Sequence, residues 1–136
     1  MGRSINCLCN NCNSFQSYSM GVGMSDYSLE AFFNGKNKRD YNRIMKMINN
    51  LEKNKEEYSI YYSNEPYLCD NCGYITTKKY VSITTKYWKY EYIYSCKKCK
   101  SDLRMIDIDN EIRLGNITCS ECKSNDLSIE LEMLWD

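Results

Sequence analysis

The sequence predicts an α+β fold, a small β-rich scaffold into which one helical segment is inserted. Three observations carry this. A single run is strongly helical, with Tyr41, Ile44, Met45, Ile48 and Leu51 on one face and Arg39, Arg43, Lys46 and Lys53 around it. Most of the rest reads as short strands rich in Tyr, Ile, Thr and Val. Finally, cysteine pairs interrupt those strands at intervals along the chain.

Taken in order, Phe15 to Met20 reads as a strand running into the flexible Gly21-Val-Gly23. Ser25 to Phe33 reads as a short helix, with Leu29, Phe32 and Phe33 at helical spacing and Asn34-Gly35 as its C-terminal cap. The main helix follows, so helical structure is expected over about 25–55. Glu57 to Tyr62 reads as a strand and Asn64-Glu-Pro66 as a turn. Two strand-like runs around Asp109-Asn110-Glu111 read as a hairpin, and Leu131 to Trp135 as a closing strand.

Hydrophobic residues make up 43% of the 136, but nine Cys and thirteen Tyr are among them. Little aliphatic material is left for a core, and small chains in that position rely on cross-links or bound metal. No run of 18 apolar residues occurs, the opening Met1 to Asn6 lacks the apolar stretch of a secretory leader, and Asn6 stands where N-myristoylation requires Ser or Thr. The expected setting is cytoplasmic, without a membrane, where cysteine-dense chains bind metal more often than they form disulfides. Formal net charge is zero, yet residues 1–100 carry 15 basic and 9 acidic groups and residues 101–136 carry 3 and 9. A general affinity for polyanions is not expected from that balance, so any nucleic-acid surface has to be local.

The cysteine pairs are Cys9/Cys12, Cys69/Cys72, Cys96/Cys99 and Cys119/Cys122, each a Cys-x-x-Cys. Two intervening residues let both sulfurs of a tight turn reach one ion at about 2.3 Å, the bond length of zinc to thiolate. Eight ligands make two tetrathiolate sites, and with no His in the chain every expected ligand is a thiolate. Zinc is the expected ion, two per chain, and iron is the alternative. Three pairings are open. Joining neighbours closes loops of about 60 and 23 positions and nesting closes about 27 and 113, a difference of only ~0.7 kcal/mol. Cys96-Lys-Lys-Cys99-Lys-Ser-Asp and Cys119-Ser-Glu-Cys122-Lys-Ser-Asn also repeat one another around the expected hairpin. The expectation is therefore Cys9/Cys12 with Cys69/Cys72, and Cys96/Cys99 with Cys119/Cys122.

With that arrangement, Cys96 to Cys122 resembles a zinc ribbon, a metal turn and hairpin followed by a second metal turn. The first site is similar to the same element with helices inserted between its halves. The resemblance implies two units, 1–95 and 96–136, packed as one compact domain, and it implies many possible functions. In that superfamily Gly commonly follows the second Cys of a turn, where the backbone is left-handed. Here Cys72-Gly73 matches, Asn13 tolerates the conformation, and Lys100 and Lys123 depart from the pattern. Rubredoxin, which holds one iron on two such pairs, is similar at the level of the motif and implies electron transfer as the alternative function.

The residues leave partner surfaces less defined. Tyr74 to Tyr94 interleaves Lys with aromatics, and Lys78, Lys79, Lys86, Trp88, Lys89 and Tyr90 form the candidate nucleic-acid surface. Trp88, Tyr90, Tyr92 and Tyr94 would alternate onto one strand face, which either stacks bases or serves as core. The helix with Lys36, Lys38, Arg39, Arg43 and Lys46 either touches nucleic acid or an acidic partner, or simply faces solvent. Cys7 is left over, a spare thiol or the sensor of a redox- or metal-responsive regulator. The functional expectation is a zinc-binding structural or adaptor protein that binds a protein or nucleic-acid partner. An enzyme is not expected, because the chain lacks His and a phosphate-binding glycine loop, and four thiolates leave zinc no open position.

Overall fold

The computed structural model describes residues 2–136 and is α+β, with the strands dominant. Strands β1 (Gly2–Cys9), β2 (Phe15–Gly21), β3 (Tyr58–Leu68), β4 (Ile75–Thr85), β5 (Lys89–Glu91) and β7 (Leu127–Trp135) form one sheet in the order β5-β4-β3-β2-β1-β7. Strand β6 (Arg104–Met105) pairs with β3 beside the end of β2. The helices are α1 (Leu29–Phe33), α2 (Lys38–Lys53) and α3 (Ile108–Arg113). No helix among the described residues is long and apolar enough to cross a membrane.

Local sequence explains the first two helices. Ser28 caps α1 by accepting from the Ala31 amide, and Asn34 closes it in the left-handed conformation at φ 51°. Along α2, Ile44, Ile48 and Leu51 are buried, at the helical spacing read from the sequence. They meet Phe32, Phe33, Val81 and Ile83 in one apolar cluster between the helices and the β3–β4 hairpin. Full burial of each such side chain contributes about 1.5–3 kcal/mol, which suffices to hold a helical segment that carries no metal ligand.

A second cluster joins Ile5, Met20, Leu68, Ile106, Ile108, Ile112 and Ile117 beneath β1 and β2. Its helix corrects the hairpin expected around Asp109-Asn110-Glu111. Asp107 caps α3 through the Asn110 amide, and Ile108 and Ile112, four residues apart, both point into this core. Four-residue spacing is a helical signal that short strand-like runs on either side obscured.

The turn expected at Asn64-Glu-Pro66 is likewise absent, because β3 runs straight through it, pairing with β4 from Tyr58↔Thr85 to Leu68↔Ile75. Pro66 is tolerated for a specific reason. Its carbonyl accepts from the Ile106 amide at 3.0 Å, so its missing N–H faces that same edge. There β2 touches β3 only at Gly21↔Asn64 and β6 begins only at Tyr67↔Met105, and no ladder bond is lost.

Two further expectations change. The aromatic strand is only three residues long, Lys89–Glu91, so Trp88 lies in a turn and Tyr92 and Tyr94 lie beyond the strand. The closing strand β7 begins earlier than expected, running along β1 from Leu127 to Trp135, with Leu131 and Met133 half exposed.

A candidate pair of metal centres

The four Cys-x-x-Cys turns are built alike. In each, the first cysteine's N–H donates to the carbonyl five residues on, and its own carbonyl accepts from the residue four on, all at 2.7–2.9 Å. That geometry forces a left-handed residue just after the second cysteine. Asn13 (φ 62°), Gly73 (φ 79°), Lys100 (φ 67°) and Lys123 (φ 66°) occupy it, so the two lysines adopt the conformation despite departing from the glycine pattern. A side chain there costs about 1 kcal/mol. Lys123→Gly is therefore expected to stabilise the protein by up to about 1 kcal/mol in thermal denaturation, and Gly73→Ala to destabilise it similarly. A methyl at Gly73 would meet nothing closer than the Thr118 hydroxyl at 3.9 Å, so any cost is conformational and not steric.

Strand pairing decides which turns meet. The first turn links β1 to β2, and the fourth leads into β7, which runs antiparallel to β1 from Gly2↔Trp135 to Cys9↔Leu127. Cys9, Cys12, Cys119 and Cys122 converge as a result. The second turn links β3 to β4, and the third leads to β6, which pairs with β3 at Tyr67↔Met105 and Leu68↔Arg104. Cys69, Cys72, Cys96 and Cys99 converge there. The pairing expected from the repeat is thus corrected. The sites are nested, one inside the sequence span of the other, and each draws two cysteines from either side of the expected 95/96 boundary, with Cys96 and Cys119 in different sites.

Within each tetrad all four sulfurs lie within 4.8 Å of one another. The nearest contacts are Cys9–Cys122 at 3.5 Å, Cys12–Cys119 at 3.6 Å, Cys69–Cys99 at 3.3 Å and Cys72–Cys96 at 3.6 Å. Those separations far exceed the ~2.05 Å of a disulfide. They are close to the ~3.8 Å edge of a tetrahedron with zinc–sulfur bonds near 2.3 Å. Each tetrad can hold one metal ion.

Hydrogen-bond donors around the sulfurs favour thiolates. Asn11 donates its side-chain amide to Cys122 at 3.4 Å, and the Ser14 hydroxyl lies 3.1 Å from the Cys119 sulfur. Ser14, with backbone amides of Cys122 and Glu121, holds the Cys119 thiol down at about 6. In the other tetrad Asn71 plays the part of Asn11 and, with Ser101, holds Cys99 at about 5. Asn11 and Asn71 each precede the second cysteine of their turn, so the two sites repeat one design. Backbone and side-chain ties reinforce each site, from Asn10 to Asp126 in one and from Asp70 to Arg104 at 2.9 Å in the other.

Cys7 stands apart from both tetrads. It is buried in the core cluster, and burial, then the negative charge of Asp109, pushes its thiol up to about 11. It also lines a cleft of about 350 Å³ between the sites, with Tyr18, Cys72, Tyr74, Lys98 and Lys123.

The candidate nucleic-acid residues do not form one platform. The Lys79 ammonium lies 4.3 Å over the Phe32 ring, and Lys78 lies 5.7 Å from the Tyr94 ring. Tyr90 packs on the helical cluster, and Tyr94 packs on Tyr67 and donates to the Lys79 carbonyl. Only Lys86, Trp88 and Lys89 stand exposed together, at the β4–β5 turn. The basic residues Lys36, Lys38, Arg39, Arg43 and Lys46 are all exposed.

Comparison of the chain with known protein families, curated proteins and solved structures finds no match. The geometry alone therefore describes the chain, a β-rich α+β scaffold with two nested cysteine tetrads that could each hold a metal ion.

Proposed function

We propose that this chain is a zinc-binding structural module of the zinc-ribbon kind, whose two tetrathiolate centres hold together a scaffold that binds another protein. The observation that carries it is the convergence of two complete four-cysteine sets from strands far apart in sequence. Four sulfurs fill the coordination of zinc and leave no position for a substrate, which supports a structural over a catalytic metal. A protein partner is favoured over nucleic acid because the lysines and aromatics of residues 74–94 are largely engaged with one another and with the core. Exposed apolar side chains of the β2 and β7 strands, by contrast, suit a protein surface.

Native mass spectrometry of protein purified without chelators tests the metal assignment. Two zinc ions per chain are expected, and their removal is expected to abolish the native circular dichroism. Iron in the sites would replace this reading with electron transfer, and a fully folded metal-free chain would end the structural one.

A further inference from the structure

Helix α2 packs one side on α1 and the β3–β4 hairpin and leaves the other to solvent. Nine of its sixteen residues are exposed. Five are the cations Lys38, Arg39, Arg43, Lys46 and Lys53, three are asparagines, and the ninth is Glu52. At about 100° per residue the five cations and Asn42, Asn49 and Asn50 fall within one arc of about 140°, with Lys46 near its middle. No carboxylate and no apolar side chain lies inside that arc. The two carboxylates of the helix stand beyond its margins. Glu52 accepts from the Tyr58 hydroxyl at 2.6 Å, and Asp40 is half-buried past Arg43.

These cations also differ in their partners from those elsewhere in the chain. Of the five arginines, Arg3 donates to Asp109 and Glu132, Arg104 to Asp70, and Arg113 to Asn110. Arg39 and Arg43 donate to no side chain, and among the described residues none of the five α2 cations forms an ion pair. Five unneutralised positive charges thus line about 21 Å of one helix face, on a chain whose formal net charge is zero.

We infer that the exposed face of α2 binds duplex DNA, its cations meeting phosphates while the helix lies against the major groove. The surface lies outside residues 74–94 and outside β2 and β7, so DNA is a ligand additional to the protein partner proposed above. Charge complementarity selects a polyanion, and the composition of the arc selects which one. A protein partner needs an apolar or aromatic centre to its interface and disfavours lysine there, whereas DNA interfaces are polar and strongly positive. Arginine and asparagine are moreover the side chains whose paired donors and acceptors match phosphates and base edges. Single strands are held by stacking their bases on aromatic rings, and the arc has none. The major groove of B-form DNA, about 12 Å wide, admits a helix, and that of A-form RNA does not.

Fluorescence anisotropy of a labelled mixed-sequence duplex of about 20 base pairs, titrated with the metal-loaded full chain, tests the inference. A Kd below about 100 μM is expected in about 50 mM KCl, and log K should fall against log salt with a slope of about −2.7 to −4.5, or ~0.9 for each of three to five phosphates. Arg43→Glu and Lys46→Glu are each expected to weaken binding at least fivefold. Arg113→Glu, which changes the net charge equally but lies on α3, should weaken it less than twofold. All three side chains are exposed, and unchanged circular dichroism verifies that each variant is folded. No binding at 100 μM chain overturns the inference, as does a loss at Arg43→Glu no larger than that at Arg113→Glu. A single strand, a duplex RNA or a poly-glutamate peptide of equal length that binds as tightly as the duplex DNA also overturns it, the last in favour of an acidic protein. Each result is read on chain that keeps its metal count, so the metal reading stands or falls separately.

Discussion

Replacing Cys9 and Cys69 by Ser together is expected to empty both metal centres, whereas replacing Cys9 and Cys119 together is expected to empty only one. The two double variants remove the same number of thiols and differ only in whether the thiols share an ion. In the structure Cys9 belongs with Cys119 and Cys69 with Cys96, so the first variant damages both tetrads and the second damages one twice. If neighbouring turns shared a metal instead, Cys9 and Cys69 would sit in one site and the outcomes would exchange. Metal counts by native mass spectrometry read the difference directly, as zero or one ion remaining in place of two. The effect on folding is expected to be large. A structural zinc site contributes an apparent ~10–16 kcal/mol at neutral pH, comparable to the whole stability of a domain. The Cys9/Cys119 variant should therefore lose the β1–β7 ladder, seen as rapid amide exchange from Gly2 to Cys9 and from Leu127 to Trp135, while the inner tetrad keeps its ion.

The repeat between Cys96-Lys-Lys-Cys99 and Cys119-Ser-Glu-Cys122 is visible in the sequence, and it is a repeat of equivalent halves, not of two halves of one site. Cys9-Asn-Asn-Cys12 and Cys69-Asp-Asn-Cys72 form the other equivalent pair, with Asn11 and Asn71 in corresponding positions. Each site takes one turn of each type, so turns that look most alike do not combine. Loop entropy pointed the other way by only ~0.7 kcal/mol, far less than the β1–β7 and β3–β6 pairings supply through their hydrogen bonds and packing. The eight cysteines of the two tetrads, α1 and α2 were legible because cysteine spacing and helical periodicity are local properties. Pro66 was misread because its tolerance depends on a gap between two neighbouring strands, and α3 because only two apolar residues mark it. Tertiary neighbours decide both, and a single sequence does not show them.

Phe32→Ala is expected to destabilise the protein by about 3–5 kcal/mol while leaving the bound metal unchanged. Phe32 is 1% exposed and sits where three elements meet. Its ring packs edge-on against Phe33, lies 4.9 Å from the Tyr62 ring on β3, and carries the Lys79 ammonium of β4 at 4.3 Å. Truncation removes all three contacts at once and leaves a cavity that the short helix α1, fixed at Ser28 and Asn34 by its caps, is poorly placed to fill. None of the eight tetrad sulfurs belongs to this cluster, so the metal centres have no direct stake in it. Urea denaturation should show the loss as a lower midpoint, and native mass spectrometry should still count two ions. The two readouts together separate the sources of stability. If the helical cluster and the metal sites unfold as one unit, the midpoint shifts with a single transition. A new early transition confined to the α2 amides would instead mean that the helical segment folds onto a sheet already held by metal.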